Sequence, residues 1–245
     1  MRIDCQWGRA GAAREADVAI IVDVLSFSTS VAIAAERGAK VFPFHGDPAA
    51  LADLVGAKIT SKARSLTEPS LSPASLTNLT AGEAIVLPSP NGARCTLAAV
   101  ASHIFCGSLR NASAVAEAAA DAGERILVVP AGETWPDGSL RVAFEDLVGA
   151  GAIIDRLGGE MSPEAQAAAA AFEDAKSRLR ERLFACPSGV ELVDRGFSED
   201  VELASQLDAS EAAPMLMLHR MRYRATAPEP ELTDKRIRYY EHMPS

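Results

Sequence analysis

Five short runs of apolar residues punctuate the first 157 positions of the chain, at 18–24, 40–44, 84–88, 102–106 and 125–130. Each is nearly continuous rather than alternating, the pattern of a strand buried on both faces. Between and after them lie alanine-rich stretches with apolar positions at helical spacing, at 28–37, 48–55, 92–100, 112–122 and 144–157. Strands alternating with helices predict an α/β fold, a three-layer α/β/α arrangement around a mostly parallel or mixed central sheet.

The pattern changes after Gly158-Gly159. Ser162-Pro163-Glu164 is a helix-start signature with Ser162 as N-cap, and the helix it opens, through Phe184, is alanine-rich and heavily charged. That polarity predicts a helix on the surface or in a dimer contact. The stretch 189–207 reads as two short helices around Arg195-Gly196, and 215–218 as one last strand. The tail from Ala227 is rich in proline and charge, which predicts a loosely held end. The segment 60–80 is rich in Ser, Thr and Pro without periodicity, and a loop of that length is functional or mobile. With no internal repeat and no clear linker, a single domain over 1–245 is predicted, with 163–245 a helical extension, a final strand and the tail.

Composition narrows the function. A 245-residue chain with 48% hydrophobic and 23% charged residues is a folded globular protein. Its net charge of -9 argues against nucleic-acid or anionic-membrane binding, both of which need broad basic surface. Cys5, Cys95, Cys106 and Cys186 form no CxxC pair, and His45, His103, His219 and His242 show no zinc-ligand spacing. The N-terminus MRIDCQWGRAG lacks a signal-peptide core, and no apolar run approaches a membrane span, so a reduced, cytoplasmic protein is expected.

In a parallel sheet, ligands bind beyond the carboxyl ends of strands, where helix N-termini present free N–H groups. Four strand-to-helix junctions carry candidate chemistry. At the first, Asp23 ends a strand and Ser28-Thr29 opens a helix; Asp23 either turns the loop or serves a metal or catalytic role. The second, LPSPNGARCTLAA, places Asn91-Gly92 in a turn and Arg94 in the first helical turn, where a cation is disfavoured by the helix dipole unless an anion is shared. The third, FCGSLRNASAVAEAAA, repeats that grammar with Ser108, Arg110 and Asn111, where Asn111 is also a good N-cap. The fourth starts a helix with Glu145-Asp146; adjacent helical residues diverge by about 100°, so at most one points squarely into a pocket.

Carboxylates opposite arginines and N-terminal amides suit Mg²⁺ with a phosphate ligand, since Mg²⁺ keeps waters and takes few protein oxygens. Metal-assisted phosphoryl transfer is the matching chemistry. One or two carboxylates, from Asp23, Glu145 or Asp146, would hold the metal. Ser28, Asn91, Gly92, Arg94, Ser108, Arg110 and Asn111 would hold a small anionic phosphoester.

The stretches VDVLSFST, SPNGARCTLAA, CGSLRNASAVAEA, FEDLVGAGAIIDRL and CPSGVELVDRGFSEDVELASQLD, in this order, resemble the 2-phosphosulfolactate phosphatase (ComB-like) family over almost the whole chain. The resemblance implies a three-layer α/β/α fold, Mg²⁺ dependence, a homodimer, and hydrolysis of 2-phospho-3-sulfolactate to 3-sulfolactate and phosphate, a step of coenzyme M biosynthesis. The chain departs from the family's usual pattern at three places. Ser26 stands where an Arg is usual, an acidic residue is missing near Ser61-Lys62, and Cys-Ala-Gly is replaced by Pro130-Ala131-Gly132.

A Mg²⁺-dependent phosphatase is thus the leading expectation, with Asp23 and Glu145 holding the metal and Asp146 a further catalytic candidate. Direct attack by water and an aspartyl-phosphate on Asp23 are both open, although a haloacid-dehalogenase mechanism would want an acid where Leu25 stands. The alternative is a catalytically degenerate small-anion-binding or regulatory protein on the same fold. A nucleotide-binding oxidoreductase is disfavoured by the lack of GxGxxG after the first strand.

Overall fold

In the computed structural model, which describes residues 1–45, 48–61, 63–218 and 237–242, the chain begins with β1 (Arg2–Cys5), α1 (Gly8–Ala12) and β2 (Val18–Val22). It continues through α2 (Phe27–Glu36), β3 (Lys40–Phe44), α3 (Ala49–Val55), β4 (Lys58–Ile59), β5 (Ala84–Pro88), α4 (Gly92–Ala98) and β6 (His103–Gly107). Next come α5 (Ala112–Ala122), β7 (Arg125–Pro130), a small hairpin of β8 (Glu133–Thr134) and β9 (Leu140–Arg141), α6 (Phe144–Leu157) and β10 (Glu160–Met161). The last elements are α7 (Pro163–Ala175), α8 (Leu179–Ala185), α9 (Pro187–Asp194), α10 (Ser198–Ala204), β11 (Pro214–Leu218) and β12 (Arg238–His242).

Among the described residues, ten strands form one mixed sheet in the order β10-β1-β7-β2-β6-β11-β12-β3-β5-β4. Every residue of β2 is buried because both of its faces are covered. Val18, Ile20 and Val22 pack with residues of α5 and α6, whereas Ala19 and Ile21 pack with residues of α1 and α4. Each such Val or Ile contributes about 1.5–3 kcal/mol by leaving water. The result is the expected three-layer α/β fold. Among the described residues no helix is long and apolar enough to cross a membrane.

The sheet is less parallel than continuous apolar runs suggest. Strands β10, β1, β7, β2 and β6 are mutually parallel, as are β3, β5 and β4. The junctions β6–β11, β11–β12 and β12–β3 are all antiparallel, so the two blocks run in opposite directions. β12 corrects the expectation of a loose tail after a last strand at 215–218. Tyr239 and Tyr240 are buried, and the Tyr240 hydroxyl lies 3.0 Å from Thr96 Oγ1. The other tail positions, 227–236 and 243–245, lie outside the described residues, as does Lys62.

The helix expected through Phe184 is interrupted by a 3₁₀ turn over Lys176–Arg178 and resumes as α8. Its first part, α7, lies against α6 at a point that only glycine permits. A Cβ on Gly151 would sit 2.0 Å from the carbonyl oxygen of Ala168. A Cβ on Gly149 would sit 2.5 Å from Val24, so the slimness of α6 holds its N-terminus close to the end of β2.

Candidate active site

β2 ends at Val22, and the next residue turns its carboxylate inward. Asp23 Oδ1 accepts from the Phe27 amide at 3.1 Å, and Oδ2 accepts from the Gly92 amide at 2.8 Å. The Asp23 amide donates to Ser28 Oγ at 3.0 Å, and the Ser28 amide donates back to the Asp23 carbonyl at 2.7 Å. Asp23 therefore fixes the start of α2 and docks the turn before α4, while Ser28 is wholly buried as its backbone partner. Asp23 is 6% exposed. Burial raises its carboxyl above the usual range; the two amide bonds oppose this, the charge of Glu145 adds to it, and Arg64 opposes it.

Glu145 and Asp146 begin α6, and both are buried. Asp146 is used up on backbone: Oδ1 accepts from the Val24 amide at 2.7 Å and Oδ2 from the Gly132 amide at 2.8 Å. It thereby clamps the loop after β2 to the loop after β7. Burial, then the charges of Asp23 and Glu145, hold its carboxyl well above the usual range. Glu145 is 2% exposed, and its Oε2 has no hydrogen-bond partner among the described residues. The Cys186 thiol is within hydrogen-bonding reach of the Glu145 carboxyl, and burial, the charge of Glu145 and that bond push it up to about 12.

Beside these carboxylates lies a cleft of about 210 Å³ lined by Trp7, Arg9, Asn91, Arg94, Glu133 and Leu140, among others. Asn91 Nδ2 donates to Glu133 Oε2 at 2.8 Å, and Thr134 Oγ1 donates to Asn91 Oδ1 at 3.3 Å. The turn Asn91-Gly92 thus joins Glu133 on one side to Asp23 on the other. Burial and then the charge of Asp23 raise the Glu133 carboxyl to about 7, against the bond from Asn91. Neither Arg9 nor Arg94 forms an ion pair among the described residues.

The third junction does not reach this cleft. The Ser108 amide and hydroxyl both donate to Asn111 Oδ1, at 2.8 and 2.9 Å, and Asn111 Nδ2 donates to the carbonyls of Cys106 and Ala212. Arg110 is turned toward Glu36 at 3.5 Å and donates to the Leu203 carbonyl and to Gln206 Oε1. These three side chains are buried and tie the end of β6 to α10 and the segment after it, with Arg110 Nε left without a partner among the described residues. Asp23, Glu145 and Asp146 come together and Asn91, Gly92 and Arg94 adjoin them; Ser108 follows Gly107, the register partner of Val22, but the side chains of Ser108, Arg110 and Asn111 are engaged elsewhere.

Two groups that sequence reasoning does not single out belong to this region. Glu133 stands three residues beyond the end of β7 and opens β8, and its place past a strand's carboxyl end is the signal that could have marked it. Arg64 comes from the irregular 60–80 segment. Its Nη1 donates to Ser26 Oγ at 3.0 Å and to the Leu71 carbonyl at 3.2 Å, and pairs with Asp200 Oδ2 at 2.7 Å. Asp200 is fully buried and also accepts from Ser72 Oγ and from the Ala74 amide at 3.2 Å. A guanidinium from a distant segment thus reaches Ser26, whose side chain carries no charge of its own. Among the described residues, no group of three or more His, Cys, Asp or Glu is arranged to hold a metal.

The comparisons with known proteins agree with one another. The family model described as 2-phosphosulpholactate phosphatase matches residues 9–218. A 2-phosphosulfolactate phosphatase of Methanothermobacter thermautotrophicus is 33% identical over 187 residues, covering 75% of this chain and 79% of that protein. A probable 2-phosphosulfolactate phosphatase of Gloeobacter violaceus is 31% identical, covering 81% and 87%. One of Carboxydothermus hydrogenoformans is 28% identical, covering 80% and 84%.

Proposed function

The chain belongs to the 2-phosphosulfolactate phosphatase family, and from that premise we propose that it is a Mg²⁺-dependent phosphatase of a small acidic phosphoester, 2-phospho-3-sulfolactate, releasing 3-sulfolactate and phosphate. The observation that carries the proposal is the buried pair Asp23 and Glu145, with Glu145 Oε2 left without a partner. A carboxylate oxygen in that state is costly unless something cationic or protic meets it.

The donor set fits Mg²⁺. Each Asp23 oxygen accepts one amide bond and keeps a lone pair, Glu145 offers a vacant oxygen, and one or two carboxylates plus substrate are the ion's usual protein complement. Bound there, the ion would supply charge neutralisation and polarisation of the phosphoryl oxygens.

The remaining work falls to the chain itself. Asp146 holds the loops after β2 and β7 at fixed spacing, so the two site carboxylates are preorganised. Arg94 and Arg9 line the cleft as cations for an ester that bears further acidic groups. Asn91 and Gly92 position the turn between cleft and carboxylates. A homodimer is part of the same proposal, supported by the family resemblance and by the exposed Val190 and Val193 of α9; sedimentation equilibrium reads it.

A phosphate-release screen over small phosphorylated acids, with and without Mg²⁺, tests the reading. Release from 2-phospho-3-sulfolactate that requires Mg²⁺ supports it, and no release from any member of the set refutes it.

A further inference from the structure

We infer that Glu133 is the general acid that protonates the departing alcohol in this reaction. The inference rests on the phosphatase reading above and adds a catalytic residue to it.

Position is the first argument. Four carboxylates gather here, and Asp23, Glu145 and Asp146 are each at most 6% exposed. Glu133 alone of the four lines the open cleft, beside Arg9 and Arg94. Its side chain is held by Asn91, whose neighbour Gly92 holds Asp23, so one turn fixes Glu133 at the cleft wall and Asp23 behind it.

Protonation is the second. Burial and the negative charge of Asp23 push this carboxyl up to about 7, and Glu145 on α6 pushes the same way. Arg141 on β9 opposes them, as does the bond from Asn91, and the further cations around the cleft are Arg94 on α4 and Arg9 on α1. Burial, the largest of these influences, still favours the acid form when a cation meets Asp23 and Glu145.

The chemistry asks for such a donor. As the bond between phosphorus and the ester oxygen breaks, the electron pair stays on an oxygen attached to carbon, a poor leaving group unless protonated. Glu133 gives that oxygen its proton, and the alcohol departs neutral. A water oxygen bonds to phosphorus, and the proton that this water gives up restores Glu133 over the cycle, leaving phosphate.

The test compares the full chain with Glu133→Gln and Glu133→Asp on two esters in Mg²⁺, 2-phospho-3-sulfolactate and p-nitrophenyl phosphate, whose phenolate leaves without a proton. Glu133→Gln should slow the alkyl ester by about 10²-fold or more, leave the aryl ester nearly unchanged, and lose the fall in kcat toward alkaline pH. Glu133→Asp should recover part of the alkyl activity. Thermal unfolding checks that each variant is folded. Equal slowing of both esters, or an unchanged pH profile, overturns the inference; where the aryl ester is refused, the pH profile decides. No turnover of either ester by the unsubstituted chain overturns the phosphatase reading itself, and the inference with it.

Discussion

The amide of Gly92 and the carboxylate of Asp23, 69 positions apart in the chain, are joined by a 2.8 Å hydrogen bond that leaves no room for a side chain. A Cβ at position 92 would lie 2.7 Å from Asp23 Oδ2 and 2.3 Å from Phe27 Cδ1. Gly92→Ala is therefore predicted to cost about 1–3 kcal/mol by overpacking, and to impair turnover by displacing Asp23. Urea unfolding measures the first and phosphate release the second. An alanine variant with unchanged stability and rate would mean that the turn is slack.

Glu145 supplies a prediction about metal. Its unpartnered oxygen carries charge into a site 2% exposed, so Glu145→Gln should unfold at a higher temperature than the unsubstituted chain in chelator. Millimolar Mg²⁺ should stabilise the unsubstituted chain and leave the variant unmoved, because only the former binds the ion in its folded state. Equal thermal shifts in the two would remove Glu145 from the metal site.

Asp200 and Arg64 form a pair that is 0% and 10% exposed, and Asp200 also receives Ser72 and the Ala74 amide. Asp200→Ala leaves a largely buried guanidinium unpaired, which costs about 3–5 kcal/mol. The same substitution should open the 64–74 segment to limited proteolysis ahead of global unfolding. Resistance equal to that of the unsubstituted chain would show that the segment is held by its own hydroxyls.

Glu133 also predicts how stability depends on pH. Its folded carboxyl, about 7, lies above the ordinary 4.5, so the folded state binds the proton more tightly. The stabilisation is complete below pH 4.5 and is lost as pH rises through 7. Glu133→Gln has no such loss. In chelator, the melting temperature of the variant should gain on that of the unsubstituted chain between pH 4.5 and 7 and hold its lead above that. A constant difference across the range would contradict the raised carboxyl.

The elements legible in the sequence are those whose burial is two-sided or whose helical face is broad. Residues 40–44, 84–88, 112–122, 125–130 and 144–157 fold with the boundaries the pattern predicts. β12 was hidden because Arg238, Glu241 and His242 flank Tyr239 and Tyr240, and only pairing with β3 and β11 makes that segment a strand. β1, four residues with Arg2 and Asp4 among them, gives equally little signal.

In the site, Asp23 is legible because a carboxylate at the end of an apolar strand has few other reasons to be there. The local grammar of Arg94 and Arg110 is the same, yet the partners of Arg110, Glu36, Leu203 and Gln206, come from elsewhere in the chain. No local pattern could separate the two. The link from Arg64 to Ser26 is equally invisible, since it crosses 38 positions out of a segment without periodicity.

The central claim is that Asp23 serves phosphoester hydrolysis rather than only capping α2. Its most direct test is phosphate release from 2-phospho-3-sulfolactate by the unsubstituted chain and by Asp23→Asn, each folded by thermal unfolding and each assayed in Mg²⁺ and in chelator. The account predicts Mg²⁺-dependent release by the unsubstituted chain and its near-complete loss in Asp23→Asn. Equal release by the two proteins would contradict it.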